Sequence, residues 1–308
     1  MSRTLIYHVT EEDIPKDLSK KPFTIHGFLK NRGYSHSVIV SLKKTKEGIL
    51  KNGIWARISD VLLPEDTLTI RLEEMDSSDN IVSSPLPFPV IYEDEDLLVI
   101  NKPANMPIHP SQGNYDNTLA NAAAFYFRKK GERFVYRCIN RLDRDTTGLL
   151  ILAKHAYSAG LLSQMVATRK IKREYLAVAS GKTEESGTIT APIGRKPGST
   201  IERQVDFENG EYACTHYRTL RYENGYSLLS LQLDTGRTHQ IRVHLLSINH
   251  PLPGDFLYCS DYSKIKRQAL HSYRLCFPHP ISGEQMEFTA PLPDDMKSFF
   301  TDQNSLPR

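Results

Sequence analysis

Apolar positions change their period several times along the chain. In TIHGFLKNRGY, Ile25, Phe28 and Leu29 fall at helical spacing, and VIVSLKKTKEGILKNG carries a second apolar stripe that predicts a helix running to Gly53. IWARISDVLLPEDTLTIRL then alternates as strands do about a Pro-Glu-Asp turn, which predicts a short hairpin. The Ser/Pro-rich SSDNIVSSPLPFP reads as a linker. Beyond it, VIYEDEDLLVINK predicts two short strands broken by an acidic turn. NTLANAAAFYFRKKG predicts a helix with Asn117 as its cap and Gly131 as its stop. LLILAK is a buried strand, HAYSAGLLSQMVATRK a helix and REYLAVASG an alternating strand. THYRTLRYENGYSLLSLQLDTG predicts a hairpin turning at Asn224-Gly225, where positive φ is needed. THQIRVHLLSINH predicts a helix capped by Thr238, with Ile241, Leu245 and Ile248 on its buried face.

Strands outnumber helices and hairpins recur, so the fold class expected is α+β: a mostly antiparallel mixed sheet with flanking helices. A smaller α/β unit precedes it. The divisions expected are residues 1–85, a small domain; residues 86–300, the main domain; and residues 301–308, a tail. No internal repeat is visible.

Composition adds limits. The chain has 308 residues, 39% hydrophobic and 24% charged, enough for one large domain and a small one. The longest aliphatic run, Leu149 to Ala153, is far short of the roughly twenty residues of a membrane span. The opening MSRTLIYHVTEED has no signal-peptide core, so a cytoplasmic protein is expected, with no membrane partner. Cys138, Cys214, Cys259 and Cys276 stand far apart, which favours free buried thiols over a zinc site or disulfide framework.

Net charge is only +3, yet it is segregated. Between Ser19 and Gly53, Lys20, Lys21, Lys30, Arg32, Lys43, Lys44, Lys46 and Lys51 face Glu47 alone, and residues 169–173 form a second basic run. Such clustering suggests a polyanion-facing surface.

Several motifs fail on inspection. Gly181-Lys182-Thr183 lacks the earlier glycine of a phosphate loop, since position 176 is leucine. His239 and His244, five apart, lie on different sides of a helix, so no shared metal is expected. Three segments instead carry charge where an apolar element is expected: NRLDRDTTG before LLILAK, KREYLAV, and DTGRTHQIRVH. In the last, Arg237, His239 and Arg242 crowd a helix start against the helix dipole, so a tertiary partner or a ligand must offset them.

These segments, in order with INKPANMPIHPS, APIGR, DTGRTHQIRVHLLSINHPLPGD and LHSYRLCFPHP…FTAPLP, cover most of Val90 to Pro293. The set resembles the RluA-type pseudouridine synthases. The N-terminal unit resembles, more weakly, the RNA-binding fold of the fourth small-subunit ribosomal protein.

The resemblance implies isomerisation of specific uridines in structured RNA, ribosomal RNA first and transfer RNA second. It implies Asp143 as the catalytic aspartate, Tyr175 as the tyrosine against the target base, Arg242 as the arginine paired with the aspartate and Arg141 as the residue entering the RNA stack. Arg144, His239 and Arg237 join Arg141 as expected RNA-binding or base-flipping residues. No metal, organic cofactor or obligate protein partner is implied.

Physical chemistry fits these roles. A stacked uracil must be extruded at roughly a few kcal/mol, and burial raises a carboxylate's proton affinity unless a guanidinium opposes it. An ionised Asp143 serves whether it attacks the base, attacks the sugar or takes a ribose proton. Asp145 is read as structural, bonding the turn backbone.

The sequence departs from the family pattern at Asn140 (usually histidine), Asn105 (commonly glycine) and Cys259 (usually glycine). The competing reading is a non-catalytic RNA-binding or ribosome-assembly protein on the same scaffold.

Overall fold

The computed structural model describes residues 2–15, 22–74, 78, 80–303 and 306–307. Lys20 and Lys21 of the first basic run lie outside the described residues.

The N-terminal unit contains β1 (Ser2–His8), α1 (Ile25–Asn31), α2 (His36–Lys44), β2 (Ile49–Lys51), β3 (Ile54–Trp55) and β4 (Thr67–Glu73), its sheet ordered β1-β4-β2-β3. Thr24 and Ser35 cap the two helices by accepting from the amides of Gly27 and Val38. Ile25, Phe28 and Leu29 are buried as their spacing predicts, in a core with Val38, Ile39, Leu42, Leu68 and Ile70. Two expectations fail here. The second helix stops at Lys44, because Glu47 and Asn52 adopt positive φ and Asn52-Gly53 turns β2 into β3. Consequently β3 pairs with β2, and β4 pairs with β1 and β2 instead of forming a hairpin with β3. Strand β1 itself was not anticipated.

The remainder contains β5 (Val90–Glu93), β6 (Leu97–Lys102), α3 (Leu119–Lys129), β7 (Thr147–Ala153), α4 (Ala156–Ala167), β8 (Lys172–Ser180), β9 (Ser186–Thr190), β10 (Ile193–Arg195), β11 (Arg203–Val205), β12 (Cys214–Glu223), β13 (Tyr226–Leu233), α5 (Gln240–Ser247), β14 (Leu270–Pro278), β15 (Gln285–Thr289) and α6 (Asp294–Lys297). Nine of these strands form one sheet, β5-β6-β7-β14-β8-β13-β12-β9, with β15 added to β14. Among the described ladders only β7 with β14 is parallel, so the α+β, mostly antiparallel expectation matches. Every residue of β7 is buried because both faces are covered. Leu150 and Leu152 join the core with α3 and α5, while Leu149, Ile151 and Ala153 meet α4.

Caps differ from expectation in two places. Thr118, not Asn117, caps α3, accepting from Asn121 N and closing a capping box. At α5 the N-cap is His239, with φ 58 and no side-chain cap, instead of Thr238. All four cysteines are free, but only Cys214 is buried. Residues 301–303 and 306–307, expected as a tail, pack back on the body, with Leu306 buried beside Phe299 and Phe300.

The two units are docked by specific contacts. Tyr34 stacks on Tyr157 of α4 with centroids 3.7 Å apart, and Tyr157 donates its hydroxyl to Arg32 O at 2.8 Å. Arg3 Nε donates to Asp96 Oδ1 at 2.9 Å; that carboxylate, almost fully buried, also meets His155 Nε2 at 2.8 Å.

The seam between β7 and β14 supports the loop that precedes β7. Gly148 has φ +111, and a Cβ there would lie 2.2 Å from Ser272 O, so only glycine permits this approach. Next to it His271, fully buried, bonds Thr147 Oγ1 through Nδ1 at 2.8 Å and Ala290 O through Nε2 at 3.1 Å.

Burial pushes the His271 imidazole down to about 4 from 6.5. As pH falls, the unfolded chain therefore takes the proton first, and stability present at neutral pH is lost from about 6.5 down to about 4, by about 3 kcal/mol. Urea unfolding at pH 7 and pH 4.5 should show most of that loss in the parent protein and a markedly smaller one in His271→Asn.

Candidate active site

The NRLDRDTTG segment forms the loop entering β7, and it is tied down on several sides. Asn140 Oδ1 accepts from Ile151 N at 2.9 Å, and Thr146 N donates to Asp143 O at 3.1 Å. Lys102, completely buried at the end of β6, donates Nζ to the carbonyls of Pro103 (2.7 Å), Met106 (3.0 Å) and Arg144 (2.8 Å). Burial pushes this lysine down to about 7, against the pull of Asp145 and Asp143. Asp145 accepts the Asn105 amide at 3.2 Å, the backbone role expected of it, and the Arg144 guanidinium at 2.9 Å. Asn105 itself has φ 56, a conformation asparagine tolerates, which accounts for its standing where glycine is common.

Arg242, on the first turn of α5 and 2% exposed, joins the halves of the site. Its Nη1 donates to Asp143 Oδ2 at 2.9 Å, while Nε and Nη2 donate to Asp255 Oδ2 and Oδ1 at 2.6 and 2.7 Å. Burial opposes its charge, but Asp255 and Asp143 more than compensate and hold the guanidinium above its ordinary value. The ring of Tyr258 lies 4.9 Å from the guanidinium carbon. Asp255 is only 1% exposed, whereas the Asp143 side chain is 28% exposed, so Asp143 is the carboxylate that meets solvent.

His239 Nε2 stands 3.9 Å from Asp143 Oδ2, and its Nδ1 is 2.8 Å from the Tyr258 hydroxyl. Arg203 N donates to the same hydroxyl at 2.8 Å. Burial, opposed by Asp143 and reinforced by Arg242, lowers the His239 proton affinity below its ordinary value.

These groups border a cleft of about 740 Å³. Asp143, Tyr175, Arg242, His239, Arg141, Arg144 and Arg237 all line it, so the residues expected to act on the base or bind RNA are brought together here. Their states differ. Tyr175, 5% exposed on β8, has its phenol raised chiefly by burial, with Arg173 and Asp143 acting in opposite senses. Arg141 is exposed and has no ion-pair partner among the described residues. Arg144 is occupied by Asp145, and Arg237 by Glu211 and the Tyr212 carbonyl.

Sequence reasoning passed over Asp255, Tyr258 and Lys102. Asp255 had a signal: a fully buried arginine exposes more donors than one carboxylate satisfies, and PLPGD offers the next acid.

Two donor clusters suited in type to a metal occur among the described residues, and Asp234 of the second also lines the cleft. Asp94, Asp96 and His279 already form an ion-pair network with Arg3 and His155. Cys214, His216 and Asp234 meet where β12 faces β13, with His216 Nε2 3.2 Å from Asp234 Oδ2. Neither includes Asp143, Tyr175 or Arg242.

A family model described as RNA pseudouridylate synthase matches residues 96–247. The uncharacterized RNA pseudouridine synthase YjbO of Bacillus subtilis (strain 168) is 37% identical over 282 residues, spanning 91% of this chain and 99% of that protein. Ribosomal large subunit pseudouridine synthase D of Nitrosomonas europaea is 41% identical over 231 residues, spanning 72% of this chain and 67% of that protein. The solved structure of human RNA pseudouridylate synthase domain containing 1 superposes with a TM-score of 0.57 at 27% identity, covering 67% of this chain and 83% of that one.

Removing Asp255 strands a buried charge, whereas Asp143 lies at the edge of the same guanidinium. Asp255→Ala should cost about 3–5 kcal/mol and Asp143→Asn no more than about 1 kcal/mol, read from urea denaturation midpoints at constant m.

Proposed function

This chain belongs to the RluA-type RNA pseudouridine synthases, which isomerise uridine to pseudouridine in RNA, and from that premise we propose how its own residues act and on which RNA. Ribosomal RNA is the first candidate substrate and transfer RNA the second; the ribosomal name of the Nitrosomonas europaea relative supports the first. The reaction breaks the bond from uracil N1 to C1′ and forms one from C5 to C1′. The C5 proton leaves and N1 takes one up, so substrate and product have the same atoms.

Asp143 is the proposed catalytic carboxylate. One observation carries this reading: a partly exposed carboxylate facing the cleft, held at 2.9 Å by an arginine whose other edge is fixed by the buried Asp255. Such an oxygen is aimed in advance, as required of a group acting on the base, on C1′ or on a ribose proton. Tyr175 presents its ring to the extruded uracil and its hydroxyl to the departing C5 proton. Arg141, exposed and without an ion pair, stacks in the gap left in the RNA, and Arg144, Arg237 and His239 bind the flanking nucleotides. Residues 86–300 act as the catalytic domain without metal or organic cofactor. Residues 1–85 supply RNA affinity through Lys43, Lys44 and Lys46, which are exposed and have no ion-pair partner among the described residues. Family membership and the intact carboxylate disfavour a purely RNA-binding scaffold.

Asp143→Asn should lose at least about three orders of magnitude in pseudouridine formation while binding the same RNA within a few-fold. Product formed by that variant at the parental rate would remove Asp143 from the mechanism. Neutralising Lys43, Lys44 and Lys46 to glutamine should flatten the salt dependence of RNA binding by a slope of about 0.7 for each single-stranded phosphate that is no longer neutralised; filter binding over a range of KCl concentrations reads it directly.

A further inference from the structure

A second cavity, of about 560 Å³, opens on the N-terminal sheet far along the chain from Asp143. Leu42 and Ile49, each 2% exposed, line it from the core side, and Ala56 and Ile58 add further apolar surface. Trp55, the only tryptophan in the chain, borders it and stays 58% exposed, beside Ile54 at 75%. Backbone pairing fixes where Trp55 stands. The Asn52-Gly53 turn, with φ 51 and 80, pairs Trp55 with Leu50, and Ala56 N donates to Ile49 O at 2.9 Å.

The polar lining is Lys43, Arg57 and Ser59; no carboxylate contributes. Lys43 and Arg57 are exposed without ion-pair partners among the described residues, and Lys44 and Lys46 extend the positive rim. An apolar recess with a fixed aromatic edge and a cationic mouth fits a ligand that is flat and apolar in its faces and anionic where it is tethered. A nucleobase on its phosphodiester backbone has that form. Duplex RNA, with its bases stacked away, offers only the phosphates.

We propose that this cavity takes one unstacked nucleobase of the RNA substrate, its face on the Trp55 indole and its neighbouring phosphates on Lys43 and Arg57. The inference rests on the reading of this chain as an RNA-modifying enzyme and adds a second base-binding point outside the catalytic cleft.

The single tryptophan makes the test local. In full-length Asp143→Asn protein, a single-stranded oligouridylate should quench the Trp55 emission by half or more, and an RNA duplex of equal length should leave it nearly unchanged. Trp55→Ala should weaken oligouridylate binding about tenfold without altering its salt slope, and Trp55→Phe should recover most of the loss. Emission that stays unchanged while filter binding shows the oligonucleotide bound overturns the proposal, as does parental affinity in Trp55→Ala. A concentration-dependent blue shift without RNA would name a second copy of the chain as the occupant, and overturns it too. Absence of pseudouridine from RNA treated with the parent protein would sink the enzymatic reading instead, whatever the fluorescence shows.

Discussion

Arg242 is shared between two carboxylates, and the geometry of the cleft follows from that division. A buried guanidinium with one acid would be under-satisfied, and one acid free to rotate would leave Asp143 without a defined direction. Asp255 takes two donors and locks the plane of the group; the remaining edge then presents one hydrogen bond to Asp143. The same arrangement answers the electrostatic puzzle of the basic start of α5. Its positive charges are offset by acids outside the helix, Asp255 for Arg242 and Glu211 for Arg237, and the bond from Arg242 to Asp143 then joins segments 99 residues apart.

Rigidity on the carboxylate's other side comes from the backbone. Lys102 Nζ donates to the carbonyls of Pro103 and Met106 on one segment and of Arg144 on the other, and Asn140 stitches the loop to Leu149 and Ile151. Both residues act where an ordinary loop would have water. Asn140, standing where relatives usually carry histidine, still bonds on both sides of its amide, so the departure changes the chemistry of the tie and keeps the tie.

Much of this was legible in the sequence where periodicity and turn chemistry agreed. The continuous apolar run of β7 and the Asn224-Gly225 hairpin each had one structural solution, whereas α5 is buried all round from Gln240 to Leu245 instead of along a stripe, and Ile248 is its half-buried C-cap. Reading failed where a local signal competed with a tertiary one. The stripe through Ile49 has helical spacing, but the Asn52-Gly53 turn is the stronger signal and makes a hairpin where a helix end was expected. Thr238 is a reasonable cap by residue type, yet His239, with positive φ and a hydrogen bond to Tyr258, starts the helix. For the site, residue types at fixed spacing pointed to Asp143, Tyr175 and Arg242. The buried lysine was out of view because its purpose appears only when Arg144, 42 residues on, is brought against it, whereas Asp255 stood 13 residues from Arg242 and was passed over.

The stacked Tyr34–Tyr157 pair and the Arg3–Asp96 bond have a further consequence. A hinged module would have to be immobilised each time substrate arrived, and that entropic cost would be subtracted from every encounter. Here the immobilisation has been completed during folding. Under the RNA-binding role proposed for residues 1–85, the distance from the N-terminal sheet to the cleft is a gauge that favours a nucleic acid whose own shape spans it over one of equal charge that must be bent to reach.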